Sequence, residues 1–306
     1  MELIEPLLSS GVRFTTLILL AALGGILTSW TQDLNVGLEG GMLFGAFISV
    51  VVAYWTGSVL IALIVTVLLG VVSGLVFGVL ITLLRVNVFV AGFVLNIFAA
   101  GGTVYLLRTL FGVKGTFSDP SIPSMARLRI PGVEGVPLLG AILSGHTVLT
   151  YVSWVLVAVT FIVARRSVIA RHLRVAGEHP KALATAGVSV TTVRILAQVW
   201  CFALCALAGA QLSLGQLTLF TEGMTSGLGF VALAVVIFSR GGVLLLAGVS
   251  FLFGVSTAVS VQVDSSVMPP QFAQMLPYVV ALVGLIVLAR SSSTSQLRIA
   301  RPVLNE

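Results

Sequence analysis

Apolar residues fall in long runs along this chain, and polar residues are gathered into a few breaks between them. The clear runs are 12–30, 59–84, 88–111, 148–164, 195–215, 243–261 and 272–289. A bilayer core about 30 Å thick takes about 20 helical residues to cross, so each run predicts a spanning helix. Two further segments are less regular. Segment 34–55 opens on the polar, glycine-rich LNVGLEGG, and 226–239 is short and flanked by Thr221-Glu222-Gly223 and Ser239-Arg240-Gly241-Gly242. Both fit broken or re-entrant helices, because irregular backbone at membrane depth is tolerated where it is buried in protein or lines a cavity. About nine spans result. The expected fold class is all-α: a polytopic transmembrane helical bundle forming one domain, 1–306.

One polar island interrupts the pattern. Residues 165–194 hold six of the sixteen basic residues and two of the three histidines. Each charge at mid-bilayer costs about 2.5–3.5 kcal/mol, so the island must lie outside the hydrocarbon. With it in the cytoplasm, Arg85, Arg240, Arg290, Arg298 and Arg301 also fall inside, eleven basic residues against five outside. The positive-inside rule selects this orientation over its inverse. The N-terminus is then external, 290–306 a cytoplasmic tail and 112–147 an external loop. Prolines 120, 123, 131 and 137 oppose a continuous helix in that loop. It fits either a docking ledge or lid, or an extended loop with a short interfacial helix near 138–144.

Composition sharpens this picture. The chain is 58% hydrophobic and 8% charged, with a mean hydropathy of +1.15, where ordinary globular domains carry about 25% charge. Lipid must solvate the surplus apolar surface. The pI near 10.0 does not indicate nucleic acid, because the basic residues sit between spans rather than on one polar surface. The first run follows Glu2 and Glu5 rather than a basic segment, so it is expected to stay as a membrane helix and not to be cleaved as a signal.

Few residues suggest chemistry. The spacing of Gly70, Gly74 and Gly78, and of Gly37, Gly41 and Gly45, gives smooth grooves where another helix can approach. Cys201 and Cys205 share a helix face without neighbouring ligands and read as packing residues, so no metal site is expected. Glu39 is the one acid well inside an apolar run. It either borders a solute path or accepts hydrogen bonds from the N–H groups of a broken helix. Asn35, Asn96 and Gln211 are further interior polar candidates; their amides suit a ribose or base, and equally inter-helix bonding. Phe230 offers a ring for stacking or packing. A Gly-x-x-x-x-Gly-Lys-Ser/Thr phosphate loop and an HExxH motif are both missing, so no enzymatic activity, ATP hydrolysis included, is expected of this chain. Glu39 alone keeps an ion-coupled carrier open.

Within the island, Gly177-Glu178-His179-Pro180 precedes Ala182, Ala184, Ala186 and Gly187. Pro180 suits a first helical turn and Gly187 a C-terminal cap. This short alanine-rich helix resembles the coupling segment of integral membrane permeases of ABC importers, in the branch serving nucleosides, ribose-like sugars and branched-chain amino acids. LNVGLEGGMLFGAF (34–47), FVAGFVLNIFAAGGTVYLLRTLFG (89–112), SGLGFVALAVVIFSRGG (226–242) and MLPYVVALVGLIVLAR (275–290) resemble family blocks in family order. TQDLN departs from the acidic-basic-Ser-Gly turn that the family often carries. The resemblance implies a bacterial inner-membrane permease subunit that binds no cofactor itself. It implies a second permease subunit, related or identical, and a cytoplasmic ATPase that carries ATP and Mg. An external binding protein or lipoprotein would deliver a nucleoside or simple sugar. Gly177, Glu178, His179, Pro180, Ala184 and Gly187 would then couple the permease to the ATPase.

Overall fold

A computed structural model describes residues 4–129 and 139–262, together with 275, 277, 279, 280 and 283. The run 272–289 lies largely outside the described residues, and the tail 290–306 wholly so. The spanning helices are α1 (Ile4–Trp30), α2 (Leu38–Thr56), α3 (Val59–Thr82), α4 (Val88–Phe111), α6 (Val148–Arg166), α9 (Val190–Ala210) and α11 (Val243–Gln262). These seven are long and apolar enough to cross a membrane. The sequence marks their ends. Ser58, Asn87 and Ser189 accept backbone N–H bonds at the starts of α3, α4 and α9, and Gly57 and Gly112 close α2 and α4 in left-handed conformation, as helix caps require.

Helix α1 is the axis of the bundle. Its residues 17–26 are buried against α9, α11 and the shorter α10 (Leu228–Ser239). Helices α3, α4 and α6 instead display Leu60, Leu68, Phe93, Ile97, Val155 and Ile162 outward. An apolar belt of this extent is stable only in lipid or against another apolar chain. The expected glycine grooves are occupied by α9. A Cβ on Gly74 would lie 2.6 Å from the Val199 Cα, and one on Gly70 2.8 Å from the Phe202 carbonyl. Gly41 faces Phe202 and Cys205, and Gly45 meets the Ala206 backbone. Cys201 and Cys205 are buried in this seam, as packing residues.

The two irregular segments resolve differently from each other. Helix α2 is unbroken over its 19 residues; the irregular backbone is 31–37, before it. Helix α10 has only 12 residues, or about 18 Å, which is little more than half a bilayer core. Helix α9 runs on into a π-helical turn over Gln211–Leu217. At that end of the bundle β1 (Thr116–Phe117) pairs with β4 (Phe220–Thr221), and β2 (Arg127–Leu128) with β3 (His146–Thr147). The short helix expected near 138–144 is α5 (Leu139–Leu143). Arg108 and Glu222 form an ion pair of 3.6 Å there.

The opposite end carries α7 (Val168–Glu178) and α8 (Pro180–Thr185). Helix α7 lay hidden in the basic island. It buries Ala170, Leu173 and Ala176 at three-residue spacing while Arg171 faces out, the pattern of an amphipathic surface helix. Trp30 at the end of α1 donates its indole N–H to the Gly241 carbonyl at 3.1 Å, so the exit of α10 lies at this same end.

Candidate functional site

Two features stand out: an exposed foot built from α7 and α8, and a buried polar junction where helices begin inside the bundle. The foot starts at Ser167, whose hydroxyl caps α7 through Ile169 N–H at 3.1 Å. Gly177 turns inward, where a Cβ would lie 2.6 Å from the Trp30 carbonyl. Pro180 occupies the first turn of α8. Gly187 ends the helix at φ +80°, with its N–H on the Ala184 carbonyl and Val188 N–H on the Leu183 carbonyl. Leu183 is buried and anchors α8; Glu178, His179, Pro180, Ala184 and Gly187 are exposed. Five of the six residues that the resemblance assigns to coupling thus form one outward surface, and Gly177 fixes that surface to α1.

Beside the foot lies a cavity of about 600 Å³ lined by Trp30, Gln32, Arg174, Glu178 and Arg240. The Arg174 guanidinium stands 5.0 Å from the Trp30 ring centroid. A second cavity, about 670 Å³ between α2, α3 and α4, is walled by Phe44, Leu69, Val76, Val94 and Phe98. Such a lining offers a polar solute almost no hydrogen bonds. A third, about 360 Å³, adjoins the start of α10 and includes Gln216, Thr225, Ser226, Thr257 and Ser260, so it combines hydroxyl and amide groups with an apolar wall.

The junction answers where the free N–H groups of the internal helix starts go, since each helix leaves four. Glu39, in the first turn of α2, accepts from Gly227 N–H at 2.9 Å, Gly229 N–H at 2.7 Å and the Thr225 hydroxyl at 2.6 Å. One carboxylate therefore serves the start of α10 while sitting in the start of α2. A negative charge at two helix N-termini is favourable. Asn96 of α4 accepts from Gly40 N–H at 2.8 Å and donates to the Val36 carbonyl at 3.1 Å. Asn35 accepts from Gly37 N–H at 2.7 Å and donates to Gln198 at 2.9 Å.

Four of the five interior candidates, Asn35, Glu39, Asn96 and Phe230, thus gather around the starts of α2 and α10. Phe230 lies in the first turn of α10 and is partly exposed. Gln211 stands apart, where the π-helical turn begins. It is fully buried and accepts from the Thr147 hydroxyl at 2.9 Å.

Sequence reasoning missed Asp33, Arg194, Gln198 and Thr225. Arg194 lies 3.4 Å from Asp33 and donates to the Ala176 carbonyl at 3.2 Å. Gln198, one turn along α9, donates to the Asp33 carbonyl at 3.2 Å. Burial raises the Asp33 carboxyl above the ordinary carboxylate range, while Arg194 and the Thr31 hydroxyl pull it back. The available signal was the four-residue spacing of Arg194 and Gln198, which puts both on one helix face; the partner across 160 residues carries no sequence mark.

Residues 7–287 match the family described as "Branched-chain amino acid transport system / permease component". The chain is similar to the guanosine ABC transporter permease protein NupQ of Bacillus subtilis, 25% identical over 93% of this chain and 92% of that one. It is similar to the nucleoside ABC transporter permease protein NupC of Lactococcus lactis, 27% identical over 92% of each. It is also 30% identical to the putative glucose ABC transporter permease protein TsgC13 of Haloferax volcanii, over 87% of this chain and 80% of that one. No solved structure matches the chain.

Proposed function

Because the chain belongs to the family of branched-chain amino acid transport system permease components, we propose that it is the membrane-spanning subunit of an ATP-driven importer carrying nucleosides or a simple sugar. The observation that carries this reading is the foot: a proline-started, glycine-stopped helix α8 with an exposed face, carried on α7, whose Gly177 packs against the end of α1. It is shaped to receive force rather than to perform chemistry. The foot's end of the bundle is cytoplasmic in this reading, because Arg85, Arg165, Arg166, Arg171, Arg174, Lys181 and Arg240 belong to that end. A separate ATPase subunit, holding ATP and Mg, docks on Glu178, His179, Pro180, Ala184 and Gly187. A second permease subunit completes the solute cavity, and an external binding protein or lipoprotein delivers the solute. Closure of the ATPase shifts the foot, and the cavity alternates between the two faces.

For the solute, the names of NupQ, NupC and TsgC13 favour a nucleoside or sugar. The family's description favours a branched-chain amino acid as the second reading. Helix N-termini would bind an amino acid's carboxylate, yet at the central junction Glu39 already fills that place. The hydroxyl and amide groups near Thr225 suit a hydroxylated solute instead. Asn35, Glu39 and Asn96 then shape the path by holding the internal starts of α2 and α10, Gln211 by holding the π-helical turn, and Phe230 borders it.

Reconstitution of the purified complex into proteoliposomes tests the reading, with guanosine, glucose and leucine offered in turn together with the binding protein. ATP-dependent uptake of guanosine or glucose is expected. Uptake of leucine alone would select the second reading, and uptake by this chain without ATP or ATPase would select an ion-coupled carrier.

A further inference from the structure

We infer that Arg194, Asp33 and Gln198 are positioning residues that tie the foot to the internal start of α2, so that α7 and the amino end of α2 move as one body. The inference rests on the reading of α7 and α8 as the place where an ATPase delivers work.

The chain of contacts is continuous and polar. Arg194 stands in the first turns of α9 and reaches two ways, to the Ala176 carbonyl in the last turn of α7 at 3.2 Å and to the Asp33 carboxylate at 3.4 Å. Both side chains are mostly buried. Gln198 takes up the next link, donating to the Asp33 carbonyl at 3.2 Å and accepting from Asn35 at 2.9 Å. Asn35 in turn receives Gly37 N–H at 2.7 Å, at the threshold of α2. Beyond it, Asn96 and Glu39 bind α2 to α4 and α10.

The irregular segment 31–37 is thus clamped from two sides. Gly177 presses on the Trp30 and Thr31 backbone, and α9 holds Asp33 and Asn35. Gln32 between them adopts φ +58°, a conformation costly for a residue with a Cβ, and its Cγ lies 3.1 Å from where a Cβ on Gly177 would be. A segment held so tightly transmits displacement instead of absorbing it. The packing of α1 against α9 and α11 is largely apolar; the hydrogen bonds and the ion pair add polar contacts that tie segment 31–37 to particular residues of α7 and α9. Removing one partner of a mostly buried pair leaves the other charge uncompensated, so either single substitution breaks the link.

The test uses the assembled complex and two readouts that need no solute. ATP hydrolysis is measured together with distances between nitroxide labels, from I169C on α7 and from W55C on α2, each to L252C on α11, with and without vanadate trapping. Ile169, Trp55 and Leu252 are exposed in this chain, and because α2 is one unbroken helix of 19 residues, a label at its far end reports a displacement of its amino end. In the otherwise wild-type complex, trapping is expected to change both distances. With R194Q, hydrolysis and the α7 change are expected to persist while the α2 change is lost. D33N behaves alike, and R194Q with D33N is no worse than either alone, because they break one link. If R194Q prevents assembly, R194K is read instead: it keeps the charge beside Asp33 but lacks the fork that also reaches Ala176. An α2 distance that follows trapping in the variants as in wild type overturns the inference, even if thermal stability falls. An α7 distance that does not move in wild type overturns the coupling reading itself, and this inference with it.

Discussion

Glu39 shows how one residue makes a broken-helix fold affordable in lipid. Three donors converge on its carboxylate, two of them backbone N–H groups at the start of α10. Without that acceptor, polar groups would lie buried and unpaired at a cost of about 1–3 kcal/mol each. Glu39→Ala is therefore expected to lower stability by about 2–4 kcal/mol, read as a fall in the melting temperature of the purified complex. Glu39→Gln keeps one accepting oxygen but turns an amide towards a donor, and should cost about 1 kcal/mol. Equal melting temperatures for wild type and Glu39→Ala would show that the junction is held by something else. The residue was legible as the one acid inside an apolar run, but its partners were not. Thr225, Gly227 and Gly229 lie about 190 positions away in a segment with no charge to flag it. Asp33 and Arg194 each look like ordinary charges at the edge of a span, and only the fold makes them neighbours.

At the scale of elements, close helix packing and the foot each make a separate demand. Helices α3 and α9 approach until only glycine fits between them, so Gly74→Leu should destabilise by about 1–3 kcal/mol or more through overpacking. Gly101→Ala, where nothing lies within 4 Å of a new Cβ, should leave the elution profile of the purified protein unchanged. A matching profile for Gly74→Leu would refute the seam. On the foot, Ala184 is exposed within a helix that Leu183 anchors. Ala184→Arg adds bulk and charge to the docking face while keeping a good helix former, so the ATPase should no longer co-purify although the chain still inserts. It is a cleaner probe than a change at Gly187, where φ of +80° would add backbone strain to any side chain. The spanning helices were readable because lipid demands runs of fixed length and composition. The brevity of α8 and its two ends were readable from Pro180 and Gly187. Helix α7 was not, because its charges masked a three-residue apolar spacing. The irregularity at the start of α2 was legible from the polar, glycine-rich LNVGLEGG, but not its end, because glycine and leucine fit both the irregular backbone of 31–37 and the helix from Leu38.

For the whole molecule, the two features occupy different depths. The foot is at the surface, the junction lies inside, and segment 31–37 joins them. An importer needs that separation, because the motor acts in water and the solute crosses at membrane depth inside the protein. In this reading a separate ATPase grips the foot. The most direct test is cross-linking from position 184: a photoreactive amino acid placed there in the intact complex, in native membranes, followed by identification of the protein captured. Capture of an ATP-binding subunit, enhanced or lost on vanadate trapping, is the expected result. Capture of lipid alone, or of an extracytoplasmic protein, would contradict the account, because the foot would then face no motor.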